Sequence, residues 1–111
     1  QRQMCIRDRD IEQYGTRVRK VASRFIRSDE EPAMMEGDEV YALLLHWSAK
    51  EALFKLMGVE EVDFIRHLRI FPFSLSEEGE FEACEYRTGR QERYRVRYVT
   101  HPDFVLTWII K

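Results

Sequence analysis

The chain is poor in the residues that mark several protein classes. Its 111 residues include only two cysteines, Cys5 and Cys84, with no CxxC or Cys/His cluster, which excludes a disulfide-built scaffold and a thiolate zinc site. We expect two reduced thiols in a cytoplasmic protein, with a single disulfide between them as the alternative.

The chain also lacks an excess of charge of one sign. Charge is nearly balanced, at 18 basic and 20 acidic residues, which argues against binding nucleic acid or anionic membranes by charge alone. No apolar stretch approaches the roughly 20 residues of a membrane-spanning helix.

The composition is that of a folded domain. Hydrophobic residues make up 44% of the chain and charged residues 34%, unlike a disordered segment. The length suits one domain or part of a larger one. Residues 1–9 show neither alternation nor helical periodicity, so we expect a non-native or disordered terminus there and a folded domain over 10–111.

Two segments have the pattern of helices. Apolar side chains recur at amphipathic helical spacing within residues 16–27, and they are Val18, Val21, Ala22, Phe25 and Ile26. A second helix is predicted from about Asp38 to Met57, because Asp38 suits an N-cap and Gly58 suits a C-terminal cap.

The second half of the chain has the pattern of strands. Residues 60–66 favour one or two helical turns, and residues 68–75, which contain a proline, favour an edge or broken strand. Two further strands are predicted over residues 80–87 and 92–99, and the last, over 103–110, is apolar on both sides and therefore central. Helices followed by an antiparallel meander predict an α+β fold, with two main helices packed on a sheet of about three to five strands.

One carboxylate lies on an apolar stripe of the second predicted helix. At 100° per residue, Glu51 falls in line with the apolar side chains of Val40, Leu44, Trp47 and Phe54. An unpaired buried carboxylate costs several kcal/mol. Two explanations fit Glu51 on this stripe: an ion pair with the lysine four residues on, or a divalent cation held by oxygen ligands.

Two more acids stand close together near the start of the chain. Asp10 and Glu12 are separated by one residue, so on a strand both side chains project from one face. Their mutual repulsion would be relieved by a cation. The spacing alone is weak and common, and taken alone it favours a solvated strand edge.

Together these residues carry a resemblance. Residues 46–55, HWSAKEALFK, resemble the W-[S/T/C]-x-K-E-[A/S]-x-x-K signature of the 4′-phosphopantetheinyl transferase superfamily. Asp10-Ile11-Glu12 resembles the end of the family's G-[I/V]-D-[I/V/L]-E strand motif, and residues 25–30, FIRSDE, resemble the F-x-x-x-x-E segment between the two. The strand-rich tail that closes on Leu106-Thr107-Trp108 resembles the C-terminal half of the larger, surfactin-type class.

The resemblance implies a reaction and a metal site. The family transfers the 4′-phosphopantetheine group of coenzyme A to a serine of an acyl- or peptidyl-carrier protein. Asp10, Glu12 and Glu51 match the acids that hold Mg²⁺, and Mn²⁺ would also accept carboxylate oxygens.

Three further residues have roles implied by the family. Lys50 and Lys55 match the signature lysines that contact the phosphates of coenzyme A or stabilise the leaving charge. Glu30 matches the acid that helps to deprotonate the carrier serine. The expected catalytic set is therefore Glu51, Lys55 and Glu30.

Several alternatives remain beside this interpretation. We expect a truncated C-terminal half that needs its N-terminal half or another subunit and has little activity alone. The smaller, trimeric holo-acyl-carrier-protein-synthase type has about this length but usually spaces its acids as D-x-x-E. The other functional class is an inactive fragment or a non-catalytic binding domain with a basic surface, formed by Arg17, Lys20, Arg24 and the arginines of residues 93–97.

Overall fold

Five antiparallel strands form a single sheet. The computed structural model describes residues 6–30, 32, 38–58 and 61–110. The strands are β1 (Ile6–Gln13), β2 (Leu68–Ile70), β3 (Glu78–Glu85), β4 (Arg93–His101) and β5 (Phe104–Ile110). Their order is β1-β5-β4-β3-β2, so β5 is central and β2 lies at an edge, both as predicted. With helices α1 (Val18–Val21) and α2 (Glu39–Met57), this is the expected α+β fold.

Both ends of α2 follow from local chemistry. Asp38 has extended backbone, and its Oδ1 accepts a hydrogen bond of 2.8 Å from the backbone N–H of Val40, which satisfies one of the free donors of the first turn. Gly58 has a φ of 65°, and its N–H donates to the carbonyl of Phe54 at 3.2 Å. A left-handed residue at this position suits glycine, which has no Cβ to clash.

The environment of α2 differs from the one-sided stripe predicted for it. The helix packs on β1 and β5 and is buried on most of its surface, because aromatic side chains of the segments outside the sheet also cover it. Trp47, Glu51 and Phe54 are only half-buried. The part of the stripe around Glu51 therefore borders the surface, whereas Val40 and Leu44 on the same stripe are buried in the core.

The first predicted helix is shorter than its periodicity indicates. α1 ends at Val21 and a 3₁₀ turn follows over Ala22–Arg24, so the helical prediction for the rest of residues 16–27 is wrong. Phe25 leaves the helix because its ring is fully buried, 5.1 Å from the indole of Trp47. This tertiary contact overrides a modest local preference.

Other boundaries also differ from the predictions. β1 begins at Ile6, where it pairs with Ile110. Of residues 1–9, residues 6–9 therefore form strand, and residues 1–5 lie outside the described residues. Residues 61–63 are irregular and 64–67 form a turn in place of the predicted helical turns. Cys84 is a buried free thiol, whereas Cys5 lies outside the described residues. Within the described part of the chain, no helix combines the length and apolarity needed to cross a bilayer.

Candidate active site

The two strand acids face α2. The partners of Asp10 and Glu12 on β5 are Thr107 and Val105, and both partners are buried. Ser48, from the signature segment of α2, places its Oγ 3.2 Å from the carbonyl oxygen of Asp10 and 2.7 Å from the Oγ1 of Thr107. These contacts hold the helix against β1 at the level of the acids.

The structure brings Asp10, Glu12 and Glu51 together. The pKa of Glu12 is raised to about 8, chiefly by burial and then by the hydrogen bond and charge of Asp10 and the charge of Glu51. Burial, followed by the charge of Asp10, also raises the pKa of Glu51. Carboxylates that disfavour each other's ionisation in this way have an affinity for a proton or a metal cation.

One oxygen of this cluster is unsatisfied. Asp10 Oδ2 is buried, and within residues 6–30, 32, 38–58 and 61–110 it has no hydrogen-bond partner. A buried acceptor in this state calls for a cation or a proton donor. Glu12, whose raised pKa favours the protonated carboxyl, is a neighbouring group that can supply such a proton.

Lys55 is the cation beside the cluster. Its Nζ lies 3.2 Å from Asp10 Oδ1 and donates to the carbonyl of Arg9 at 2.8 Å. Lys55, the lysine considered as an ion-pair partner of Glu51, therefore pairs with Asp10 instead. Towards Glu51 its charge only opposes the rise in the pKa of that carboxyl. The Lys55 side chain is 46% exposed, so its ammonium remains accessible to a ligand.

The carboxylates fit a hard divalent cation in chemistry but are not arranged around one. Mg²⁺ is usually held by one or two carboxylates with waters and substrate phosphates completing its shell. In the described part of the chain, no group of three or more Asp, Glu, His or Cys side chains is arranged to hold a metal ion as it stands. The orphaned oxygen of Asp10 is the feature that fits such an ion best.

Lys50 and Glu30 occupy a different environment. Their side chains are fully buried and form an ion pair of 2.9 Å. Lys50 also donates to the backbone carbonyls of Phe25 and Phe64, and burial lowers its pKa. The structure therefore buries both Lys50 and Glu30, whereas Lys55, beside Asp10, is partly exposed.

Trp47 is the site residue that sequence reasoning missed, since a core position was expected for it. It lines the same cleft as Glu12, and its indole N–H, which can only donate, opposes the rise in the pKa of that carboxyl. The sequence feature that could have identified Trp47 as a site residue is its position four residues before Glu51 on the same stripe of α2.

Trp47 separates two clefts. One, of about 330 Å³, includes Glu12 and Arg17 in its lining. The other, of about 580 Å³, is lined by Val21, Arg24, Trp47, Asp63 and Phe64. Each cleft therefore carries one arginine from the basic face predicted around α1.

The second basic surface considered for binding is neutralised within the sheet. Arg93 pairs with Glu82 at 2.7 Å, and Arg95 and Arg97 lie 3.4 and 3.8 Å from Glu80. Glutamates of β3 alternate opposite the arginines of β4. This face therefore offers mixed charge rather than a continuous basic patch.

Comparison with known proteins gives one match. No curated protein and no solved structure matches the chain. The family model described as the 4′-phosphopantetheinyl transferase superfamily matches residues 9–109, a span that contains both acidic motifs and the signature helix. By this match the chain belongs to the 4′-phosphopantetheinyl transferase superfamily.

Proposed function

We propose that this chain carries the metal and diphosphate site of an enzyme that moves 4′-phosphopantetheine from coenzyme A to a serine of an acyl- or peptidyl-carrier protein. The observation that carries the proposal is the cluster of Asp10, Glu12 and Glu51, whose burial and mutual repulsion raise the pKa of Glu12 to about 8. A structural role alone gives no reason to gather one buried and two half-buried acids beside an unpartnered oxygen.

In this proposal the three acids hold Mg²⁺ or, with similar ligand chemistry, Mn²⁺. The metal, when bound, neutralises charge on the pyrophosphate of coenzyme A. Lys55 turns its exposed ammonium from Asp10 towards the same phosphates. Arg17 and Arg24, which line the two clefts, add positive charge for an anionic substrate.

The transfer joins the serine Oγ to the phosphorus that bears the pantetheine arm and breaks the bond from that phosphorus to the bridging oxygen. Adenosine 3′,5′-bisphosphate leaves with that oxygen, and the serine proton goes to a carboxylate of the site. We assign this role to Glu51, for which the resemblance implied only metal binding, in place of Glu30. Glu30 does not take it, because its oxygens already accept bonds from Lys50, the Arg27 N–H and the Ile70 N–H.

The test is mass spectrometry of an apo-carrier protein after incubation with coenzyme A, Mg²⁺ and the full-length protein that contains this chain. We expect the mass to rise by one phosphopantetheine group and the gain to disappear with Glu51→Gln. The matched control is Glu78→Gln, an exposed β3 carboxylate, which should leave transfer unchanged. Transfer at the wild-type rate by Glu51→Gln, or no transfer by the folded full-length protein with a range of carrier proteins, would contradict the proposal.

We also propose that the 111-residue chain alone transfers little, because a second domain or subunit supplies the rest of the coenzyme A site. Adding the missing part in trans should then restore transfer. Full activity of the isolated chain would contradict this dependence while supporting the reaction itself.

A further inference from the structure

The buried ion pair of Lys50 and Glu30 is fully satisfied by the protein itself. The Lys50 ammonium has three protons, and they are directed at Phe25 O (2.5 Å), Glu30 Oε1 (2.9 Å) and Phe64 O (3.1 Å). Its side chain has no exposed surface. Since an ammonium has three donors, none remains for a substrate phosphate.

Glu30 is enclosed in the same way. Its Oε1 accepts from Lys50 and, at 2.9 Å, from the backbone N–H of Arg27, while its Oε2 accepts from the backbone N–H of Ile70 at 2.6 Å. The pair therefore connects four separate parts of the fold: the turn after α1, the helix α2, the turn at residues 64–67 and the strand β2.

The two backbone carbonyls held by Lys50 belong to the residues that enclose Trp47. The ring of Phe25 lies 5.1 Å from the indole of Trp47 and that of Phe64 lies 5.4 Å from it, both tilted. Tilted aromatic pairs at these distances are favourable and directional. The backbone positions set by Lys50 therefore determine the walls against which the indole rests.

Trp47 in turn lies beside the acidic cluster. It lines the same cleft as Glu12, and its indole N–H opposes the rise in the pKa of the Glu12 carboxyl. A continuous set of contacts thus runs from the buried pair, through Phe25 and Phe64, to Trp47, which shares a cleft with Glu12.

We propose that Lys50 and Glu30 are positioning residues, which fix the backbone at Phe25 and Phe64 so that Trp47 is held against Glu12, and that neither touches the substrate. This inference rests on the proposed function, since it assigns the pair's role within that site. It follows that the charge of Lys50 stabilises the structure around the clefts. Of the two signature lysines, only Lys55 then reaches the phosphates.

The first test measures Trp47 without any ligand. Trp47 and Trp108 are the two tryptophans of the chain, so Trp108→Phe leaves Trp47 as the sole indole emitter. In that background we expect Lys50→Met to red-shift the emission and to increase quenching by acrylamide, because the walls around the indole loosen. The control is Lys20→Met, a lysine exposed on α1. Unchanged emission and quenching in folded Lys50→Met would overturn the proposal, whether or not the protein transfers phosphopantetheine.

The second test separates positioning from direct contact with the substrate. Removing Lys50 alone leaves the Glu30 charge buried and unpaired, whereas the double variant Lys50→Met/Glu30→Gln leaves no buried charge. We expect the single variant to lose at least about tenfold in kcat/KM for transfer and the double variant to recover most of that loss. A folded double variant no more active than the single one would overturn the proposal, since a lost phosphate ligand or catalytic base is not restored by neutralising its partner.

A third variant applies if the charge variants do not fold. Phe64→Leu keeps the ion pair and the backbone carbonyl but removes one ring beside Trp47. We expect more accessible Trp47 emission and lower kcat/KM, with far-UV circular dichroism unchanged. If Phe64→Leu alters neither Trp47 nor transfer, the connection between the buried pair and the site is refuted.

Discussion

At the scale of single residues, Lys55 places a positive charge against the acidic cluster. Its ammonium lies 3.2 Å from Asp10, and its charge opposes the rise in the pKa of Glu51. Because nearly half of the side chain is exposed, solvent screens this attraction. Lys55 therefore offsets only part of the repulsion within the cluster.

Replacing Lys55 with methionine tests this balance. The metal-free protein should become less stable, because the three acids lose their nearby cation, whereas a protein saturated with Mg²⁺ should lose less. The increase in melting temperature on adding Mg²⁺ should therefore be larger for Lys55→Met than for the wild type. Differential scanning calorimetry with and without Mg²⁺ measures the difference.

The exposed Lys20 of α1 gives the matched control, since Lys20→Met removes the same charge and should leave the effect of Mg²⁺ unchanged. An equal or smaller Mg²⁺ effect in Lys55→Met than in the wild type would show that Lys55 does not compensate the cluster. A weaker affinity for coenzyme A in the same variant would further support contact with its phosphates.

Residue types and spacing indicate the acids of the site but not every neighbour of it. Side-chain periods placed Asp10 and Glu12 on one face of a strand and Glu51 on a stripe of a helix, but it was the resemblance to the family that joined the three acids into one predicted site. The enclosure of Lys50 and Glu30 depends on the carbonyls of Phe25 and Phe64. That contact requires the tertiary arrangement of the turns after α1 and before β2, which no local pattern specifies.

At the scale of elements, the N-terminus of α2 is tied to β1 by Asp38. One oxygen of this carboxylate caps the helix through the N–H of Val40, and the other accepts a hydrogen bond of 2.7 Å from the hydroxyl of Tyr14. The Tyr14 ring also packs 4.8 Å from that of Tyr41. The same carboxylate thus stabilises the helix end and joins it to the segment that follows the strand of Asp10 and Glu12.

Asp38→Ala should destabilise the protein by about 1 to 2 kcal/mol, the usual cost of losing an N-cap side chain. The companion variant Tyr14→Phe removes only the hydroxyl and should cost less. Urea unfolding followed by circular dichroism gives both free energies. If Tyr14→Phe costs as much as Asp38→Ala, the connection to β1, rather than the cap, dominates the role of Asp38.

The same elements show what sequence patterns can predict here. The ends of α2 were predictable because Asp38 and Gly58 act within a few residues of the backbone groups that they satisfy. The length of α1 was not, because Phe25 is drawn into the core by Trp47 and ends the helical periodicity early. Local rules therefore succeed at α2 and fail where a single aromatic contact outweighs them.

At the scale of the whole molecule, the buried His46 and the half-buried Glu12 make stability depend on pH in opposite directions. Burial lowers the pKa of His46 to about 4, so the folded protein binds fewer protons there than the unfolded chain between about pH 4 and 6.5. Burial and Asp10 raise the pKa of Glu12 to about 8, so the folded protein binds more protons there from about pH 4.5 to 8. The two effects oppose each other below pH 6.5, and only that of Glu12 continues above it.

The metal-free protein should therefore lose stability as the pH rises from 6.5 to 8. In this range the folded state must release a proton from Glu12 that the unfolded state has already released, and Glu51, whose pKa is also raised, acts in the same direction. The expected loss is about 1 kcal/mol, because partial exposure of Glu12 reduces the effect of its shifted pKa. Urea unfolding at pH 6.5, 7.2 and 8 measures this loss of stability.

Two controls test its cause. Saturating Mg²⁺ should remove most of the pH dependence by favouring the ionised acids, and Glu12→Gln should remove it without metal. If the wild type and Glu12→Gln lose stability equally over this range, the proton on Glu12 is not the cause, and the cluster has less affinity for a cation than the raised pKa of Glu12 implies.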